Sequence, residues 1–330
     1  MSNYTPPLSI TNKMLSLVSS ISEKIGNISS YNNFESKPQL RKNNRIKSIY
    51  SSLAIEANSL SLSEVRDVIN GHLVLGPQRE IQEVKNAYNA YDMLTEINPF
   101  SVDELKKYHG TMTYALVNKS GVFRTGAEGV FDGDRCIFMA PPANLVSSLI
   151  EDLFDWMCRE KENVHPLILS SVFHYEFVFI HPFSDGNGRM ARLWQTAILT
   201  KWKQIFQFIP IESQIYKYQS KYYEAISKCH IEGNSNIFIK FMLEMIDEIL
   251  SEIISQSKSD ESHLSIYVKK LLDVMDFDIP YTTAEIMEKL NLKSRETFRK
   301  NYLNPAIELN LITLTIPDKP TSRNQRYIRK

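Results

Sequence analysis

The sequence has few cysteines and no net charge. Only three of its 330 residues are cysteines (Cys136, Cys158 and Cys229), and they are scattered without the spacing of a metal site. An odd number of scattered cysteines indicates buried thiols in a reducing compartment rather than a disulfide framework. The 38 basic residues balance 38 acidic residues, which argues against a protein that coats nucleic acid or a membrane surface along its whole length.

Long apolar runs and glycines are also scarce. No apolar run reaches the length of a membrane span, and the first residues do not follow the pattern of a signal peptide, so we expect a soluble, cytoplasmic protein without membrane contact. Only 11 glycines interrupt long apolar patterns of helical period, which predicts a mainly α fold. A chain of this length can bury one large core and a second, smaller one.

What the chain does contain is a polar run between two apolar segments. The run is His181-Pro182-Phe183-Ser184-Asp185-Gly186-Asn187-Gly188-Arg189-Met190-Ala191-Arg192. The apolar segments 166–180 and 193–209 flank it. This pattern predicts a helix, a tight loop and a second helix, with the polar cluster at the N-terminus of the second helix.

The glycines and arginines of this run suit the binding of a phosphate group. Gly186 and Gly188 allow backbone N–H groups to turn inward at a helix N-terminus, where the helix dipole also attracts an anion. Arg189 and Arg192 are three residues apart, so both can reach phosphate oxygens from one helix face. The alternative is an ordinary polar turn with solvated arginines.

The histidine and the aspartate suit chemistry at that phosphate. Asp185 offers a hard oxygen ligand for Mg²⁺, which takes few protein carboxylates beside phosphates. His181 has a pKa suited to accepting a proton from a hydroxyl group near neutral pH. Phe183 is apolar, and we expect it to anchor the loop in the core.

The run resembles the signature of the Fic family, His-Pro-Phe-x-[Asp/Glu]-Gly-Asn-Gly-Arg-x-x-Arg, at every defined position. The resemblance covers roughly residues 40–255. It implies a helical Fic core with a β-hairpin flap, and an adenylyltransferase that moves AMP from ATP to a Tyr, Ser or Thr hydroxyl of a target protein. It also implies the following roles: His181 as the base, Asp185 as the Mg²⁺ ligand, and Gly186, Asn187, Gly188, Arg189 and Arg192 as ATP-binding residues.

A second motif lies before the core, in Ser52-Leu53-Ala54-Ile55-Glu56-Ala57-Asn58. By spacing alone, Ser52 and Glu56 share one face of a predicted helix and would be ordinary surface residues. The segment is similar to the inhibitory motif Ser/Thr-x-x-x-Glu-Gly/Asn of one Fic class, although Ala57 stands where Gly or Asn is expected. The resemblance implies that Glu56 pairs with Arg192 and repels the γ-phosphate of ATP.

A β-hairpin is predicted within residues 123–139, because Asp-Gly lies there between short apolar runs. Without the resemblance it would be a surface flap of unknown use. With the resemblance, Gly129 and Val130 belong to a flap that pairs strand to strand with the target segment and so places its hydroxyl. Glu128 occupies a position where a more hydrophobic residue is expected.

Two tyrosines after the signature complete the expected site. Tyr222 and Tyr223 could be core aromatics, but the resemblance implies that they line the adenine pocket, where flat rings stack on the base. His230 stands where the family often has asparagine. His174, on the helix that enters the loop, is expected to be a packed, hydrogen-bonded histidine rather than a second base.

The C-terminal part predicts a separate module. Residues 256–262 are polar and predict a linker. Beyond them, three helices and a two-stranded wing resemble a winged helix-turn-helix. We therefore divide the chain into an N-terminal helical region (1–100, with the inhibitory helix at about 40–58), a catalytic core (101–255) and the winged helix (262–330).

The predicted winged helix is basic. Residues 289–330 contain ten basic and three acidic residues, a net charge of +7. Four of the basic residues belong to the predicted recognition helix: Lys293, Arg295, Arg299 and Lys300. They suit phosphate contacts on DNA. A role in protein docking or in forming a homodimer is the alternative.

Two other functions stay open at this stage. The same site could remove AMP from a modified protein, or transfer another nucleotide or phosphate group, with Glu56 orienting a water molecule. Alternatively, the chain could be a DNA-binding regulator whose Fic core senses a nucleotide.

Overall fold

A computed structural model describes residues 4–31, 38–132, 135–263, 265–276, 279–320 and 322–329. The chain forms two compact units, one of residues 1–31 and 42–252 and the other of residues 32–41 and 253–330. Within the described ranges, no helix is long and apolar enough to cross a membrane.

The first unit is built from helices. Before the hairpin they are α1 (Asn12–Tyr31), α2 (Pro38–Ile55), α3 (Leu62–Ile69), α4 (Gln78–Asp92) and α5 (Val102–Met112). After the hairpin they are α6 (Val146–Glu160), α7 (Pro166–Ile180), α8 (Asn187–Trp202), α9 (Ile211–Lys217), α10 (Gln219–Glu232) and α11 (Asn236–His263). Short 3₁₀ turns lie at Leu94–Glu96, Ala143–Leu145 and Gln204–Phe208.

The pair α7 and α8 forms the centre of this unit. Both helices are buried along most of their length. This is expected for α7, which is largely apolar. By contrast, α8 also buries polar side chains, among them Arg189, Arg192 and Gln195. Trp194 on α8 packs edge-on against Tyr108 of α5, and its indole N–H donates to the Pro99 carbonyl at 3.0 Å. The loop that joins the two helices therefore stands on a rigid base.

Local sequence signals placed several helix ends correctly. The sequence Ser61-Leu62-Ser63-Glu64 forms a capping box, with the Glu64 N–H donating to Ser61 Oγ and the Ser61 N–H donating to Glu64 Oε2. Ser101 caps α5 by a single bond, accepted by its hydroxyl from the Glu104 N–H. Residues 256–262, predicted as a linker from their polarity, are helical, because α11 continues to His263. That segment is polar but contains no Gly or Pro to stop a helix.

The predicted hairpin consists of β1 (Gly129–Asp132) and β2 (Arg135–Met139), which are antiparallel. Gly129 pairs with Met139, and a bulge lies between Val130 and Phe131. The predicted turn residues 133–134 lie outside the described residues. Among the described strands β1 pairs only with β2, so its other edge carries no strand partner.

The second unit has helices followed by a small sheet. Its helices are α12 (Ile266–Val274), α13 (Thr283–Lys289) and a continuous helical stretch of α14 (Arg295–Thr297), a π-helical segment (Phe298–Leu303) and α15 (Asn304–Glu308). The strands β3 (Pro280–Tyr281), β4 (Ile312–Leu314) and β5 (Tyr327–Arg329) form an antiparallel sheet in the order β3-β5-β4. This matches the predicted order of elements, apart from the unpredicted strand β3.

Candidate active site

His181 ends α7 in a left-handed conformation, with φ 51° and ψ 59°. This conformation is strained for a residue other than glycine and must be held by its surroundings. Its Nδ1 lies 3.4 Å from the Val178 carbonyl oxygen. Because a carbonyl can only accept, Nδ1 carries the proton and Nε2 is the nitrogen that can take one. Burial lowers the pKa of His181, so the ring is neutral at neutral pH.

Arg124 holds the backbone around this histidine, and sequence reasoning missed it. Its Nε donates to the His181 carbonyl at 2.7 Å, and its Nη2 donates to the Ile180 carbonyl at 3.3 Å. Its own backbone N–H donates to the Pro182 carbonyl at 2.9 Å. Arg124 also reaches Pro141 beyond the hairpin, with Nη2 2.6 Å from that carbonyl oxygen. The buried Arg124 guanidinium thus connects the segment that follows the hairpin flap to His181, the predicted general base. The only local signal was an arginine between two glycines.

Asn187 closes the loop through its side chain. Its Oδ1 accepts from the Phe183 N–H at 2.9 Å, and its Nδ2 donates to the Phe183 carbonyl at 2.7 Å. The Asn187 side chain therefore supports the loop, and only its backbone N–H remains to serve the predicted anion site. Phe183 is fully buried, as predicted.

His109 of α5 supports the loop from below. Its ring stacks on Phe183 with 3.6 Å between centroids. Its Nδ1 accepts from the Gly121 N–H at 2.9 Å, so Nε2 carries the proton and donates to the Asp185 carbonyl at 3.0 Å. Burial lowers the pKa of His109 to about 4, which keeps this donor and acceptor pattern constant at neutral pH.

The N-terminus of α8 has the features of an anion site. Gly186 is the N-cap at φ 80°, and no side chain caps the helix. Arg189 and Arg192 are 3% and 2% exposed. Nonetheless Arg189 Nε and Nη1 and Arg192 Nη1 have no hydrogen-bond partner among the described residues, and Arg189 Nη1 has only a long ion-pair contact, 3.7 Å from Glu83 Oε1. Buried donors without partners are costly, so these nitrogens fit a phosphate group that would pair with them.

Glu56 brings a carboxylate to this anion site. Its Oε1 lies 2.7 Å from Arg192 Nη2, and Arg192 Nε donates to Ser52 Oγ at 3.0 Å. A Cβ atom added to Gly188 would lie 2.2 Å from Glu56 Oε1, so a side chain at this position would displace the Glu56 carboxylate. Burial alone would lower the pKa of Arg192, but the attraction of Glu56 outweighs it and raises that pKa. The structure therefore brings the two halves of the predicted Ser52–Glu56–Arg192 contact together.

The two predicted adenine-pocket tyrosines have different positions. Tyr222 is 2% exposed, and its hydroxyl lies 2.9 Å from Nε2 of His174, so the structure does not support the stacking role predicted for its ring. Tyr223 is 47% exposed, and its hydroxyl donates to the Ile55 carbonyl at 3.3 Å. Gln219 Nε2 donates to the same carbonyl at 3.0 Å, next to Glu56.

His174 and His230 both have structural partners. His174 is buried, and its Nδ1 lies 2.5 Å from Gln195 Oε1, in agreement with the predicted packed histidine. His230 stacks on Phe138 of the flap at 4.2 Å, and its Nδ1 lies 3.1 Å from the Tyr175 hydroxyl. The residue that replaces the family's asparagine therefore fastens the flap to α7.

Asp185 is surrounded by donors. Its Oδ1 accepts from Arg189 Nη2 at 2.8 Å and from the Gly186 N–H at 2.6 Å, while Oδ2 accepts from Arg79 Nη2 at 2.9 Å. Among the described residues there is no group of three or more metal-ligating side chains. A single carboxylate beside unpaired arginine donors fits a Mg²⁺ ion that arrives with a nucleotide and takes its other ligands from phosphate and water.

Two family profiles match the chain. The Fic/DOC family matches residues 99–199, and the C-terminal domain of Fic-like proteins (filamentation induced by cAMP) matches residues 267–328. A crystal structure of a Fic family protein from Desulfovibrio desulfuricans is 40% identical, with a TM-score of 0.74, and covers 99% of this chain and 98% of its own. The chain belongs to the Fic family. The fold of the first unit is accordingly a Fic fold with a hairpin.

Curated Fic relatives are more distant. The chain is 27% identical over 222 residues to a protein adenylyltransferase Fic of Nematostella vectensis, covering 63% of this chain and 48% of the relative. It is 24% identical over 258 residues to a protein adenylyltransferase fic-1 of Caenorhabditis elegans, covering 75% and 47%. The chain thus spans about half the length of the curated relatives it matches.

Ala57, which departs from the inhibitory motif, generates a stability prediction. It has φ 65°, a conformation that disfavours alanine by about 1 kcal/mol relative to glycine. Ala57→Gly should therefore slow local opening of the turn about fivefold. Hydrogen exchange of a peptide over residues 50–60 measures this.

A matched control is available for this prediction. Ala115 is also exposed and has φ 57°, so Ala115→Gly should slow exchange around its own turn only. Faster exchange over 50–60 in Ala57→Gly would show that this turn is not strained.

Proposed function

We propose that the chain is a protein adenylyltransferase that transfers AMP from ATP to a Tyr, Ser or Thr hydroxyl of a target protein. One observation carries the proposal. An oriented, neutral His181 ends α7, and an uncapped helix N-terminus with unpaired buried arginine donors begins only six residues later. The names of the curated relatives support the same activity.

The arginines of α8 would hold the leaving part of ATP. The unpaired nitrogens of Arg189 and Arg192, with the first N–H groups of α8, suit the β- and γ-phosphates. The exposed ring of Tyr223 suits the base. Asp185 would hold Mg²⁺, which supplies neutralisation of the charge that develops on the phosphates.

His181 would act as the general base of the transfer. A target hydroxyl oxygen forms a bond to the α-phosphorus, and the bond from that phosphorus to the bridging oxygen of pyrophosphate breaks. Nε2 of His181 accepts the hydroxyl proton, since Nδ1 already faces the Val178 carbonyl. The unpaired edge of β1, which includes Gly129 and Val130, would align the target chain by backbone hydrogen bonds.

Glu56 would inhibit this reaction. Its carboxylate lies against Gly188 and Arg192, where the γ-phosphate is expected, so two anions would compete for one guanidinium. Removal of AMP from a modified target is the alternative use of the same site, because a carboxylate there could orient an attacking water. Release of AMP from a modified target by the wild-type chain would favour that alternative.

Glu56→Gly should raise transfer about tenfold or more, since it frees Arg192 for the phosphates. The measurement is incorporation of α-³²P from labelled ATP into protein in a cell lysate. The control is Glu56→Gly combined with His181→Ala, which should bind ATP and show no transfer. Equal labelling by wild type and Glu56→Gly, with matched folding, would disprove the inhibition.

Transfer by the Glu56→Gly variant should depend on pH through His181. A base acts when deprotonated, and burial lowers the pKa of His181 below its ordinary 6.5. The logarithm of the rate should therefore rise with slope one in acid and level off before about pH 6.5. A rate profile from about pH 4.5 to 8.5 tests this. A midpoint above pH 7 would contradict the assigned base.

The second unit supports a further candidate function, DNA binding. Arg295, Arg299 and Lys300 are exposed on its last helical stretch, and the exposed Lys293 lies two residues before it, in a unit with a small wing-like sheet. Such a basic helix suits DNA phosphates.

DNA binding predicts a salt-dependent gel shift by the full chain. Replacing the four basic residues by glutamine should weaken binding at least about tenfold, because each phosphate contact releases counterions. No shift at low salt, or a shift that the substitutions leave unchanged, would instead favour a docking role.

A further inference from the structure

Arg79 contacts the predicted metal ligand, although neither the signature nor the inhibitory motif includes it. It lies at the start of α4, and its Nη2 is 2.9 Å from Asp185 Oδ2. The other carboxylate oxygen, Oδ1, already accepts from Arg189 Nη2 and from the Gly186 N–H. Oδ2 is therefore the oxygen left for a metal ion, and the Arg79 guanidinium is bonded to it.

The two arginines on Asp185 differ in freedom. The Arg189 side chain is 4% exposed and fixed within the core, whereas that of Arg79 is 59% exposed. Arg79 has weaker additional contacts, with Nε 3.7 Å from Glu83 Oε1 and Nη1 3.4 Å from the Leu116 carbonyl. Arg79 can therefore leave Asp185 for solvent without breaking the core, which Arg189 cannot do.

We infer that Arg79 is a positioning residue that acts as a tethered cation, competing with the divalent metal for Asp185. The inference rests on the proposed function, since it concerns metal that enters with the nucleotide. A guanidinium and a divalent ion repel each other on one carboxylate oxygen. Metal entry therefore requires Arg79 to withdraw, which raises the metal concentration needed. Without metal, Arg79 keeps Asp185 neutralised.

The expected effect is modest because the ion pair is exposed. Loss of an exposed pair changes an equilibrium about twofold to fivefold. The metal concentration that each variant at position 79 requires should follow the charge of the side chain. Lysine should be close to arginine, glutamine should require less metal, and glutamate should require the least. A phosphate-binding arginine would give the opposite order.

The test measures metal binding directly in the full chain carrying Glu56→Gly. Mn²⁺ is the probe, with α,β-methylene-ATP as a nucleotide that cannot transfer AMP, and free Mn²⁺ is read by electron paramagnetic resonance. Relative to the parent, the half-saturating Mn²⁺ concentration should fall about threefold in Arg79→Gln and further in Arg79→Glu. It should stay near the parent value in Arg79→Lys.

Lys107→Gln is the matched control. Lys107 pairs with Glu104 at 3.0 Å, and these side chains are 62% and 25% exposed, close to the 59% and 31% of Arg79 and Asp185. Lys107→Gln should leave the Mn²⁺ requirement unchanged, because it removes one surface charge that does not contact Asp185. Thermal melts of each variant confirm equal folding.

Two outcomes would overturn the inference. An unchanged requirement in both Arg79→Gln and Arg79→Glu would show that the ion pair is incidental. A raised requirement, with weaker nucleotide binding, would make Arg79 a phosphate ligand. If the parent binds neither Mn²⁺ nor the nucleotide, the proposed function fails and this inference falls with it. A parent that binds both, with a flat series at position 79, rejects the inference alone.

Discussion

A buried guanidinium needs an anion, and the first unit is arranged around the guanidinium of Arg192. This side chain is 1% exposed and contacts both the carboxylate of Glu56 and the hydroxyl and carbonyl oxygens of Ser52. One turn earlier on α2, Ser48 donates to Glu212, a second buried carboxylate that also accepts from Tyr91 and Thr196. Helix α2 is therefore attached to the core at two polar points rather than by apolar packing alone.

The geometry of the loop depends on side chains that hold its backbone. Arg124, Asn187 and His109 each bond to backbone atoms of residues 180–186. Their combined effect is to hold His181 in its left-handed conformation and to fix the backbone of Phe183 and Asp185. A site of this kind is positioned by its supporting layer as much as by its signature.

The parts of the site that could be predicted from the sequence are those formed by residues that are close together in the chain. The loop signature, the capping box at Ser61 and the hairpin all follow from local spacing and turn chemistry. Arg124, Arg79 and His109 could not be found in this way, because they meet the loop across separations of 57, 106 and 76 residues. The same limit explains why the buried position of Tyr222 could not be predicted, since its hydroxyl contacts His174, which lies 48 residues away. Residues 256–262 show a different limit: their polarity suggested a break in the helical pattern, but they contain no Gly or Pro, and α11 continues through them.

The contact between Glu56 and Arg192 also has a consequence for how the chain can evolve. Removing the anionic partner of a buried cation leaves that charge uncompensated, which destabilises a fold. The penalty here is smaller than for a fully buried pair, because the Glu56 side chain is 38% exposed and Arg192 keeps its two bonds to Ser52. Release of Glu56 therefore exposes Arg192 to that penalty until a phosphate takes its place. Under the proposed function, activity and fold stability would oppose each other at this one guanidinium, so selection for a constantly active transferase would have to recover stability elsewhere in the core.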